Sequence, residues 1–306
     1  MPARDAPDRS PAVTAINGLP FPVFRRGKVR DVFDLGDRLL IVATDRLSAF
    51  DVVLPTAIPG KGALLTAVSD FWFDRTVDVL PNHRTGDSIN ALGLDSDTAK
   101  QIRGRSSIVR RAERIDIECV VRAHLAGSGW KEYQARGTLA EEPLPAGLRR
   151  GDPLPELRFT PAVKSDEGHD QNISRAHLAD RIGTDLADRL EAVSIELFDR
   201  ARTVAAEAGF ILADTKFEFG YVDGELMLID EALTPDSSRY WDSTSTKAGE
   251  EPPSFDKQVV RDWLERSGWN KEPPGPELPH DIVAMTRARY AEVLDRLAAT
   301  KKEQQR

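Results

Sequence analysis

The ordered part of the chain opens on alternating apolar and polar positions. VFRRGKVRDVFDLGDRLLIVATD predicts two strands, about 23–34 and 38–44, joined at the turn Asp34-Leu35-Gly36-Asp37. From Gly62 the period changes, and Leu65, Val68, Phe71 and Trp72 recur at helical spacing in GALLTAVSDFWFDRTV. Strand patterning resumes at SSIVRRAERI and IECVVRAHL, while five prolines and two glycines predict a loop over 138–163. Residues 175–208 carry the strongest helical signal: Leu186, Leu190, Val193, Leu197 and Ala201 form one stripe, and Gly209 is a stop. Gly183-Thr184 divides that region, with Thr184 expected as N-cap of the longer helix. A hairpin follows, ADTKFEFGYVDGELMLIDE, then two amphipathic helices in PSFDKQVVRDWLERSGW and DIVAMTRARYAEVLDRLAAT, and the charged tail KKEQQR.

Strands come first, helices cluster late, and no regular strand–helix alternation runs through the chain. This order predicts an α+β fold rather than a doubly wound parallel sheet. The expected organisation is a disordered arm over 1–14, a β-rich N-terminal domain over 15–115, and an α+β domain with C-terminal helices over 116–306.

Composition narrows the class. The 306 residues are 40% hydrophobic and 30% charged, as in soluble globular proteins with a sizeable core. No run approaches the roughly 18 apolar residues of a membrane span, and MPARDAPDRSPAV lacks the apolar stretch of a secretory signal. Cys119 is the only cysteine, which excludes an internal disulfide and fits a reducing cytoplasm; within IECVV it reads as a buried small hydrophobe. A net charge of −8 argues against a nucleic-acid partner, yet leaves room for a local basic pocket that takes a phosphorylated small molecule.

The hairpin holds more charge than its apolar surroundings explain. Strand alternation puts Asp214, Lys216 and Glu218 on one face, with Phe217 and Phe219 on the other. A two-residue loop at Asp223-Gly224 would leave Glu218 and Asp230 on opposite faces. A three-residue loop, Val222-Asp223-Gly224, would pair Glu218 with Leu228 and set Asp230 diagonally beside it. The second register also sets Phe217 and Phe219 against Ile229 and Met227, a clean apolar face, and is the expected one. Two carboxylates at short range need compensation. A hard divalent cation that also takes phosphate oxygens would supply it, and so would a solvated face neutralised by Lys216.

Anion-binding candidates are spread along the chain. RRGKVRD puts Gly27 and Lys28 on a strand, a glycine for close backbone approach and a lysine for phosphate, without the P-loop signature. TDRLSAFD offers Asp45, Arg46 and Ser48, where capping and turn roles compete with substrate contact. VVRAHLAGSGW places Arg122 at a strand end, five residues before Gly127-Ser128-Gly129. KSDEGHD and TPDSSRYWD contribute Lys164, His169 and Arg239; His169 has no second His or Cys at ligand spacing, which argues against zinc. No GxSxG motif or Cys–His pairing points to a covalent nucleophile.

Taken in order, GKVRDVF, TDRLSAFDVVLP, PGKG, ECVVRAHLAGSGWKEY, FTPAVKSDEGHDQNIS, ILADTKFEFG and LIDEALTPDSSRYW resemble the SAICAR synthetase family. The resemblance runs from about residue 20 to 265, and FDKQVVRDWL near its end looks like the family too. It implies an N-terminal antiparallel sheet domain covering the nucleotide, over a larger α+β catalytic domain, with ATP in the cleft, loosely similar to protein kinases and ATP-grasp proteins. It implies ligation of L-aspartate to the carboxylate of CAIR (carboxyaminoimidazole ribotide) in purine biosynthesis, yielding SAICAR, ADP and phosphate. By the same resemblance Glu218 and Asp230 would hold Mg²⁺, Lys28 would reach the ATP phosphates, and Asp214 and Lys216 would line the reacting centre. Arg122, Ser128 and Arg239 would bind the ribotide phosphate, and the aspartate would fall to Asp45-Arg46-Ser48 or to Lys164 through His169. The competing activity is a kinase-type phosphotransferase acting on a phosphorylated small molecule. Oligomeric state is left open.

Overall fold

The computed structural model describes residues 11–163, 171–245, 247 and 249–303. They form two compact units that are not continuous in sequence. One draws on the chain up to Val68, on His83–Arg111 and on Lys257–Leu294; the other on Ser69–Asn82, Ala112–Asp256 and the chain from Asp295.

In the first unit, strands Val23–Arg26, Arg30–Asp34, Arg38–Ala43 and Ser106–Arg110 lie side by side in that order, all antiparallel. The single strand expected over 23–34 is thus two strands. The chain reverses at Gly27-Lys28-Val29, where Gly27 N donates to Arg30 O at 2.7 Å. A Cβ on Gly27 would stand 3.1 Å from that same carbonyl, so the tight reversal favours glycine. Phe33, Leu40, Val42 and Ile108 bury the inner face together with Ile16 and Ile102. A separate cluster packs Leu47, Leu54 and Ile58 against Val260 and Leu264 of the helix Gln258–Arg266 and Leu278 and Ile282 near the start of the helix His280–Glu303. Those are the two late amphipathic helices that the hydrophobic periodicity predicts.

The second unit is built on an antiparallel sheet around one long strand, Phe210–Val222. Its neighbours are Ile117–His124, Ser238–Asp242, Glu225–Ile229 and the short Glu113–Arg114. Helix Thr184–Glu207 buries Leu190, Leu197 and Ala201 of the predicted stripe, with Phe198 beside them. Its N-cap is Gly183 rather than Thr184, and no side chain caps it. The 138–163 region is not the loop its prolines suggest: Pro153–Phe159 pairs with Ile117–His124, and Thr138–Leu139 pairs with Glu142–Pro143. Pro153 and Pro155 are tolerated because, among the described residues, their strand has no partner on its other side, where N–H donors are not required. Helices Ser96–Ile102 and Gly127–Arg136 were not anticipated by the periodicity.

The hairpin register corrects the sequence expectation. Val222 pairs with Glu225, Phe219 with Leu228 and Glu218 with Ile229, across a two-residue turn. Asp223 and Gly224 both have positive φ, 50° and 79°, the type I′ pattern that Asp-Gly favours. Hydrophobic patterning selects a register only where one face alone is buried. Here Leu226, Met227, Leu228 and Ile229 are all buried, so the turn decides.

Candidate active site

Asp214 lies on the long central strand, paired in register with Arg122 on one neighbour and Arg239 on the other. Antiparallel pairing puts directly opposed side chains on the same face, so the three charged groups must meet. Arg122 Nη1 donates to Asp214 Oδ2 at 2.9 Å, and Arg239 Nη1 donates to the same oxygen. The remaining Arg122 donors are placed by the protein as well: Nε reaches Thr160 Oγ1 and Nη2 reaches Ser128 Oγ, each at 3.0 Å. Burial depresses the Arg122 guanidinium below its ordinary value against the pull of Asp214. Burial acts the same way on Arg239, but Asp214, Asp256 and Glu251 outweigh it and raise the value.

Ser128 is in the first turn of the helix Gly127–Arg136, which begins where a Gly-Ser turn is expected. Gly127 has φ +55°, and a Cβ there would lie 2.1 Å from Arg239 Nη2. Only glycine both adopts that conformation at little cost and lets the guanidinium pass. The expected grouping of Arg122, Ser128 and Arg239 is present in one place, with Asp214 joined to it.

Two residues further along the same face, Lys216 Nζ donates to Glu118 Oε1 and stands 3.8 Å from Glu218 Oε1. Burial alone would push this ammonium down; Glu118, Glu218 and Asp230 together hold it above its ordinary range. Asp230 acts on Lys216 in spite of the register. It follows the last residue of its strand and adopts φ +66°, so alternation no longer dictates where its side chain points. Glu218 and Asp230 present hard oxygen donors suited to Mg²⁺. Among the described residues no group of three or more His, Cys, Asp or Glu could hold a metal ion. A cation here would take only part of its shell from the protein, which is how Mg²⁺ binds beside phosphates.

In the first unit, Gly27 and Lys28 are at a hairpin tip rather than on a strand. Lys28 Nζ donates to Asp51 Oδ1, both side chains being about half exposed. Asp51 follows Phe50 in a second tight turn, between Ser48–Ala49 and Val52–Val53, where both carry positive φ. Asp45 and Arg46 are spent within the protein. Asp45 is fully buried and accepts from Val13 N at 2.8 Å, Gly62 N at 2.9 Å and Arg105 Nη1 at 2.7 Å. Arg46 bonds to backbone carbonyls and to Asp31. Ser48 is half-buried. Lys164 and His169 lie outside the described residues.

Sequence reasoning passed over Glu118 and Thr160, and it named Gly127 as a turn residue without its approach to Arg239. Glu118 was legible: in IECVVRAH it shares a strand face with Arg122, four residues on. Thr160 and the Gly127–Arg239 approach depend on pairing between distant segments, which no local pattern records.

Three comparisons bear on this arrangement. The family model described as SAICAR synthetase matches residues 23–276. A phosphoribosylaminoimidazole-succinocarboxamide synthase of Elusimicrobium minutum is 49% identical over 282 residues, covering 90% of this chain and 96% of that one. The SAICAR synthase of Saccharomyces cerevisiae, solved in complex with SAICAR, superposes with a TM-score of 0.83 at 40% identity, covering 91% of this chain and 95% of its own. A SAICAR synthetase (Type-2) solved in complex with ADP superposes at 0.67 with 25% identity, covering 90% and 97%. With relatives this similar over nearly their whole length, and a family match across most of the chain, the chain belongs to the SAICAR synthetase family.

Proposed function

We propose that this protein is an ATP-dependent ligase that condenses the carboxylate of CAIR with the amine of L-aspartate, releasing SAICAR, ADP and phosphate. The observation that carries the reading is the row Arg122–Asp214–Arg239 with Lys216 two residues on, a run of fixed cations on a buried sheet face. The relatives support it: one is solved with SAICAR and another with ADP.

A carboxylate does not condense with an amine directly, because oxide would have to leave. Transfer of the γ-phosphoryl group to the CAIR carboxylate forms an acyl phosphate and ADP. The aspartate amine attacks its carbonyl carbon, phosphate departs, and the amine loses a proton. Each species is anionic, so the protein's task is to offset charge and hold reactants in line. Arg122, Ser128 and Arg239 bind the ribotide phosphate on this reading. Lys216, held as an ammonium by its three acidic neighbours, is an electrostatic partner of the reacting carboxylate rather than a base. Lys28 meets the nucleotide phosphates from its hairpin tip. Glu218 and Asp230 would hold Mg²⁺, which when bound offsets the charge of the triphosphate. Ser48, Lys164 and His169 remain the candidates for the carboxylates of aspartate. The single buried Cys119 supports a cytoplasmic setting.

The deciding assay is ADP release from ATP and CAIR, with and without L-aspartate. Steady turnover is expected only with aspartate; turnover indifferent to its omission would establish a phosphotransferase instead.

A further inference from the structure

We propose that Arg46 is the positioning residue of the Gly27–Lys28 turn, acting on the nucleotide through Lys28 and touching no substrate itself. The inference rests on the reading of that turn as the phosphate-binding one.

A guanidinium has five N–H donors. In Arg46, Nε donates to Lys28 O at 3.0 Å, Nη1 to Thr14 O at 2.7 Å, and Nη2 to Gly27 O at 3.0 Å and Asp31 Oδ1 at 2.8 Å. Four of the five are therefore used inside the protein, and too little is left for a bidentate grip on a carboxylate or phosphate. Two of the three carbonyls it holds belong to the turn residues themselves. The third, Thr14, ties the preceding segment to the same point, next to Val13, whose N–H donates to Asp45. Asp31 completes the clamp: it is fully buried, keeps the guanidinium oriented, and also takes Arg26 Nη1 at 3.1 Å.

The arrangement divides labour along one residue. Arg46 fixes the Lys28 backbone, while the Lys28 ammonium pairs with Asp51 at a half-exposed position. Such a pair contributes little and is readily exchanged for a phosphate. The tip is free to change partner while its base is held, which is what a pre-organised phosphate contact needs. Lysine cannot reproduce the fork, because its ammonium is a point charge unable to span several carbonyls.

The test is a cycle of Arg46→Lys, Lys28→Ala and the double variant, read by the dissociation constant of a non-hydrolysable ATP analogue. KM for CAIR and for aspartate is measured alongside. Arg46→Lys should weaken the analogue about tenfold, the equivalent of one charge-assisted hydrogen bond, leave the other two KM values unchanged, and add nothing in the Lys28→Ala background. An equal loss in both backgrounds would overturn the proposal by showing a general structural role. A rise in KM for CAIR or aspartate would overturn it by showing substrate contact. No loss on Lys28→Ala alone would remove the phosphate reading of the turn, and the assignment of Arg46 with it.

Discussion

Asp214 Oδ2 is 2.9 Å from Arg122 Nη1 across adjacent strands, and both side chains are all but inaccessible to water. Arg239 shares that oxygen, so one carboxylate holds together a buried guanidinium and a half-buried one. Asp214→Asn would leave both cations without their common partner and should cost about 3–5 kcal/mol of stability. If the cationic row is a phosphate site, a dianion replaces the lost charge. Phosphate should then raise the melting temperature of the variant more than that of the parent. Equal shifts in thermal denaturation would show that the row does not bind the anion.

Gly127→Ala tests the same row from the other side. Its positive φ costs an L-residue about 1–2 kcal/mol, and the new methyl meets Arg239 Nη2. The displaced guanidinium should raise KM for CAIR by about tenfold or more, with KM for ATP little changed. Initial-rate kinetics separates the two; a rise confined to KM for ATP would place the phosphate of CAIR elsewhere.

How much of this was legible beforehand differs by kind of residue. The hairpin, its charged face and the late amphipathic helices follow from local periodicity. The register did not: Leu226 to Ile229 are buried on both faces, and the pattern that recommended a three-residue turn was indifferent. Asp230 nevertheless acts on Lys216, for a backbone reason that alternation cannot contain. Arg122, Ser128 and Arg239 could be picked out singly as basic and glycine-rich signals, but Asp214, where the two arginines meet, is set by strand order. Arg46 shows the opposite difficulty. Its sequence neighbours suggest a ligand contact, and only the three-dimensional path of the turn reveals where its donors go. The strand Pro153–Phe159 was hidden by the prolines that an edge position permits.

His124 supplies a pH dependence. Its Nδ1 is 3.0 Å from Gly151 O, and since a carbonyl only accepts, Nδ1 carries the proton. The ring lies edge-on to Trp241, and burial pushes its pKa below the ordinary 6.5 in spite of the Gly151 carbonyl, Asp214 and Asp152. The unfolded chain therefore binds the proton more readily than the folded one. Stability from this group is fully present above pH 6.5 and is lost as pH falls through the folded value, by at most about 1.4 kcal/mol per pH unit. Denaturant titrations between pH 7.5 and pH 5 should show a shallower decline in His124→Gln than in the parent. Parallel curves would mean His124 is protonated alike in both states.

Asp230 permits a test that separates charge from backbone. Asparagine tolerates the left-handed region at least as well as aspartate, so Asp230→Asn keeps φ near +66° while removing the carboxylate charge. If Asp230 and Glu218 hold Mg²⁺, the concentration giving half-maximal activity should rise about tenfold in this variant, with a change in melting temperature of a few degrees at most. Asp230→Ala should add a stability loss of about 1–2 kcal/mol from the strained backbone, without shifting the Mg²⁺ dependence further. Glu218→Gln should reproduce the Mg²⁺ effect, since it is the other proposed ligand. Lys216 has Glu118 as its hydrogen-bond partner, so its ammonium stays paired in either variant. Unchanged Mg²⁺ dependence in both Asp230→Asn and Glu218→Gln would reduce the acids to partners of Lys216 and remove the metal from this face.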